Sequence, residues 1–183
     1  MVLFVLFCKA GIAQTITFSN EDFVNAVFHE VVDSNVSIYY LSASAYPCSF
    51  RKFDYDEWYT YALKEDVPIY ILNELAEKSQ LDAKPVYWRQ EQLRAANCID
   101  EEKISTVFTA AMNTLAKKRN RNQVENSVVY FFSRPEFTAD GQYAVIDMSY
   151  RCDNHLCGMG ATFLFRQLNG KWRVAGRKLV WSN

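Results

Sequence analysis

"SVVYFFSRPEF", Ser127 to Phe137, is where the chain changes character, from helix-spaced apolar residues to runs of β-branched and aromatic ones. Pro135 stops this first run, and Asp140-Gly141 supplies a turn. "QYAVIDMSYR", Gln142 to Arg151, then places Ala144, Ile146, Met148 and Tyr150 on one side of a strand, because side chains alternate along an extended backbone. "ATFLFRQL" gives a third strand, Asn169-Gly170 a hairpin turn, and "KWRVAGRKLVW" a fourth. Short links between successive strands predict a four-stranded antiparallel meander over about residues 127–182.

Upstream the period changes to that of a helix. Phe23, Val24, Val27, Phe28, Val31 and Val32 share one stripe, and Ser19 with Asp22 forms a capping box. Asp54 can cap a short helix carrying Tyr55, Trp58, Tyr59 and Ala62, and Pro68 suits the first turn of another carrying Ile69, Leu72, Leu75 and Ala76. "DEEKISTVFTAAMNTLAKKRN" starts acidic and ends basic, the order that complements a helix dipole. Two stretches read ambiguously. "VSIYYLSASAYP" is β-prone or an irregular connection, and Leu81–Ile99 mixes a strand-like "VYW" with a helix-like "RQEQLRAAN". There is no repeat and no Pro/Gly-rich linker, so the expected fold is one α+β domain over 14–183, with helices (about 19–118) packed on the meander.

With 183 residues, half of them hydrophobic, the chain is long enough to bury a substantial core without metals. A net charge of -1 gives no electrostatic reason to expect nucleic acid as a partner. No run approaches the ~20 apolar residues of a membrane span. At the N-terminus, "MVLFVLFCKAGIAQT" has an apolar run from Val2 to Cys8 followed by small Gly11 and Ala13, the order of a signal peptide and its cleavage site. Residues 1–13 are thus expected to be removed on export to the periplasm or the extracellular space. The competing reading is a buried first strand.

Cleavage would leave four cysteines, Cys48, Cys98, Cys152 and Cys157, an even number that suits an oxidising compartment. Of the three possible pairings, Cys152–Cys157 with Cys48–Cys98 is favoured, since the first pair can close locally. On the loop-entropy model these bridges contribute about 2 and about 4 kcal/mol.

"SRPEF" at 133–137, "GQYAVID" at 141–147, "CGMG" at 157–160 and "LNGKW" at 168–172 resemble the tail of small exported bacterial proteins of unknown role. Helices before a meander that ends in a "GKW" hairpin are also similar to the nuclear transport factor 2-like and cystatin-like folds. These resemblances cover about the last third of the chain and imply a fold, not a chemistry.

The chemical candidates are few. In "CDNHLCGMG", Cys152, His155 and Cys157 could ligate zinc, but the spacing lacks the paired knuckles of structural zinc sites and favours a disulfide-clasped hairpin. Four residues between the sulfurs also argue against a redox pair. Aromatic side chains crowd residues 39–88, among them Tyr39, Tyr46, Tyr55, Trp58, Tyr59, Tyr61, Tyr70, Tyr87 and Trp88, as core or as a stacking platform. "KKRNR", Lys117 to Arg121, reads as a solvated helix end, and Asn35-Val36-Ser37 is a formal glycosylation acceptor. Two histidines, His29 and His155, and no nucleophile elbow, phosphate loop or HExxH motif leave little for catalysis. The sequence therefore predicts a protein without catalytic residues, metal or cofactor that binds a small ligand, a peptide or an envelope partner. The alternative is a lyase, isomerase or hydrolase with Asp147 or His29 in a hollow between sheet and helices. Asp147 alternates with the apolar set of its strand and is expected to face outward.

Overall fold

A computed structural model describes residues 19–32, 39–50, 58, 64–81, 86–117, 128–152 and 158–182. It contains helices α1 (Asn20–Val31), α2 (Ile69–Leu81) and α3 (Glu101–Lys117). The strands are β1 (Tyr39–Ser42), β2 (Ser44–Ala45), β3 (Val86–Tyr87), β4 (Asn97–Ile99), β5 (Val128–Phe132), β6 (Glu136–Phe137), β7 (Tyr143–Cys152), β8 (Gly158–Leu168) and β9 (Lys171–Ser182). Seven strands make one mixed sheet of order β4-β1-β5-β7-β8-β9, with β6 on β7, and β2 pairs separately with β3.

This corrects the expected four-stranded antiparallel meander with helices before it. β5, β7, β8 and β9 do form and pair in antiparallel succession, but the sheet continues past β5 into β1 and β4. β1 runs parallel to both neighbours and is laid between them. Its four residues show no alternation, since Leu41 and Ser42 are both fully buried; strands covered on both sides lack that pattern.

The sheet is packed on both faces. On one lie α1 and the larger cluster, where Phe23 meets Phe137, Phe165 and Trp172 edge-to-face at 5.0–5.5 Å. Ala144, Ile146 and Met148 of β7 enter this cluster. Tyr143 and Val145, pointing the other way, join Cys48, Phe50, Trp58, Leu164 and the α2 residues Ile71, Leu72, Leu75 and Ala76 in a second cluster.

Local signals hold where the core agrees with them. Ser19 Oγ accepts from the Asp22 N–H at 3.1 Å and caps α1. Asn169 and Gly170 take φ of 51° and 75°, the left-handed pair that a tight Asn-Gly hairpin requires. Where the core disagrees, it wins. After Trp88 the chain makes a single turn, Leu93 N–H to Arg89 C=O at 3.2 Å, and does not continue as a helix. Asn25 of α1 donates Nδ2–H to the Gln92 carbonyl and accepts the Arg94 and Ala95 N–H groups on Oδ1. With Leu93 buried and β4 following, a longer helix is pre-empted.

Glu21 makes the other clamp between α1 and this segment. Its side chain is 6% exposed and accepts from Arg89 Nε–H at 3.1 Å, Nη2–H at 3.2 Å and the backbone N–H at 3.3 Å. The Arg89 side-chain hydrogen bonds hold the Glu21 carboxyl below its ordinary value, outweighing burial. A carboxylate depressed in the fold contributes stability that is present above its unfolded value near 4.5 and lost as pH falls through the folded one. Glu21→Gln should therefore lower stability by about 2 kcal/mol at neutral pH, with the gap to wild type closing in acid. Urea unfolding at pH 7 and pH 3 measures this; a gap of equal size at both would refute it.

Candidate functional site

β7 turns Asp147 away from Ala144, Ile146 and Met148, as its alternation predicts, but the carboxylate is half-buried, because the face it enters is partly covered. The connection from β2 passes over it. Tyr46 bridges to Ser133 in parallel fashion, and the Arg134 N–H donates to the Tyr46 carbonyl at 2.7 Å. This fixes Pro47, Cys48 and Ser49 above the strand. Asp147 Oδ2 accepts the Ser49 N–H at 2.5 Å, and Oδ1 accepts the Thr162 hydroxyl at 2.5 Å, reaching it from the directly paired position on β8. Ser133 is hydrogen-bonded to the Asp147 backbone in both directions at 2.9 Å.

Beside this carboxylate is a half-open cavity of about 160 Å³ between the Tyr46–Ser49 segment and the sheet, reached by Phe131, Ser149, Gly160 and Val180. Tyr46 and Phe131 stand 6.5 Å apart, ring to ring, and Arg151 lies over Phe131 at 5.2 Å. Each carboxylate oxygen accepts one bond and keeps capacity for a second. Among the described residues no cationic group lies within ion-pair distance of Asp147. The arrangement suits a small ligand group bearing N–H donors or positive charge, seated against aromatic edges.

Cys48 is buried behind the site and Cys98 is half-buried on β4; in this structure both, the pair expected to bridge, are free thiols. Cys48 belongs to the second cluster. Cys98 is paired in register with Leu41 and packs on the first, so the sheet stands between the two sulfurs. Burial, reinforced by Asp147, pushes the Cys48 thiol far up, and burial pushes Cys98 up to about 11; neither is a thiolate nucleophile at neutral pH. Cys152 ends β7, but its side chain, with Cys157 and His155, lies outside the described residues.

His29 is exposed at the end of α1, edge-on to Phe28 and Tyr39, and faces no hollow. Of the described residues in the aromatic-rich region, Trp58 and Trp88 are buried, while Tyr46, Tyr70 and Tyr87 are exposed on separate elements. Tyr55, Tyr59, Tyr61, Asn35–Ser37 and residues 118–121 fall outside the described residues. Sequence reasoning missed Ser49 and Thr162, whose roles depend on pairing and chain crossing that no local pattern carries.

Among the described residues no helix is long and apolar enough to cross a membrane, and no three potential ligands gather to hold a metal ion. Comparison with protein-family models, curated proteins and solved structures finds no match.

Proposed function

We propose that the protein is a binding protein whose Asp147 cavity takes an ammonium or guanidinium group of a small ligand or peptide. The observation that carries this is a carboxylate held by Ser49 and Thr162 at the edge of a cavity, with acceptor capacity left over. A non-catalytic role is favoured because Asp147 faces no second acid or base among the described residues around its cavity, and the Cys48 thiol behind it is buried. The space between α1 and the sheet, where the alternative enzyme reading would need a hollow, is filled by Phe23, Phe165 and Trp172. Export rests on the leader-like Val2–Ala13 stretch, and the resemblance to small exported bacterial proteins on the motif residues; both belong to this proposal.

Titration calorimetry with alkylammonium and alkylguanidinium probes, against neutral alcohols of the same shape, tests it. Asp147→Asn should weaken cation binding by about 10- to 100-fold, the worth of a charge-assisted hydrogen bond, and leave neutral probes unaffected. Equal affinity in the variant, or preference for the neutral probes, would overturn the reading.

A further inference from the structure

We propose that the Asp147 cavity takes a short ω-amino acid, its ammonium on Asp147 and its carboxylate on Arg151; this rests on Asp147 being the seat of a cation, as in the proposed function. Asp147, Ser149 and Arg151 lie on the same face of β7, and the first two line the cavity. Phe131, also in the lining, pairs in register with Ser149, and the Arg151 guanidinium stands over the Phe131 ring at 5.2 Å. A cation is thus held against one wall of the cavity, four residues along the strand from the carboxylate, roughly 13 Å from Cα to Cα. Arg151 is exposed and makes no ion pair among the described residues, and its contact with the ring positions it without neutralising it.

Between the two charges the floor carries almost no side chain, because Ser149 is directly paired with Gly160 of β8. Tyr46 and Val180, 47% and 58% exposed, line the same space and offer apolar surface to a methylene stem. A carboxylate and a guanidinium set apart by an apolar stretch match a molecule of the converse pattern: ammonium, short chain, carboxylate. A simple alkylammonium would leave the guanidinium without an anion, and an α-amino acid holds its charges too close together to reach both. The cavity of about 160 Å³ is near the roughly 150 Å³ that accommodates benzene, so the occupant is one small molecule and not a peptide segment.

Titration calorimetry of the full chain with 4-aminobutanoate beside butylamine, and 6-aminohexanoate beside hexylamine, tests this. The tighter of the two acids should exceed its amine about fivefold or more, the worth of one partly solvated ion pair. Arg151→Gln should erase that preference by weakening the acid and not the amine, a pattern that a merely disturbed cavity would not give. Amine binding that ignores Asp147→Asn would overturn the reading of the site itself, and this inference with it. Amines bound through Asp147 with no preference for the acids, or a preference that survives Arg151→Gln, would overturn this inference alone. A tripeptide ending in lysine that binds more tightly than either acid would overturn the assignment to a free small molecule.

Discussion

Phe23→Ala should destabilise the fold by about 4 kcal/mol, the range for removing a fully buried aromatic ring. Phe23 is 0% exposed and meets β6, β8 and β9 together, through Phe137, Phe165 and Trp172. Its loss leaves a cavity against strands held rigid by their ladders, and the edge-to-face contacts vanish with it. Neighbouring positions cannot collapse inward, because Val24 and Val27 are themselves packed in the same cluster. Chemical denaturation with unchanged slope and an earlier midpoint is the expected result. A loss below about 1 kcal/mol would mean that α1 is not held to the sheet through this ring.

Trp58→Ala should have the second-largest effect, about 3–4 kcal/mol, and a local signature besides. Trp58 is fully buried, edge-on to Phe50 at 5.6 Å, within the cluster that also holds Cys48 and α2. Removing it loosens the cover on the Asp147 face before the sheet itself fails, so Cys48 should become reactive to iodoacetamide under conditions that leave the wild type unlabelled. Mass spectrometry of the alkylated peptide reads this directly. Trp58→Phe should recover most of the loss, because the indole Nε1–H has no partner among the described residues. Labelling of Cys48 at the wild-type rate in Trp58→Ala would contradict the linkage.

These positions also mark how far sequence reasoning reaches. The stripe containing Phe23, the Ser19 cap and the Asn169-Gly170 turn are local devices, and each is legible because spacing and turn chemistry act within a few residues. β1 was legible only as a β-prone stretch and its place between β4 and β5 was not, since a four-residue strand without alternation gives no sign of its partners. The helical text after Trp88 misled for a related reason: Asn25 captures its backbone from sixty-odd residues away. For the site, alternation predicted the side of β7 to which Asp147 points. It could not predict that Ser49 would cross over that side, nor that Thr162 would lie opposite in register. The cysteine count carries no information on which face of the sheet Cys48 and Cys98 each occupy.

The placement of β1 between β4 and β5 has a bearing on how the chain reaches this arrangement. Tyr39–Leu41 cannot complete their ladder until Val128–Tyr130 have been synthesised, nearly ninety residues later. During translation the first two thirds of the polypeptide must therefore wait with one edge of that strand unsatisfied. Such high contact order slows the search, and it exposes the nascent chain to mispairing.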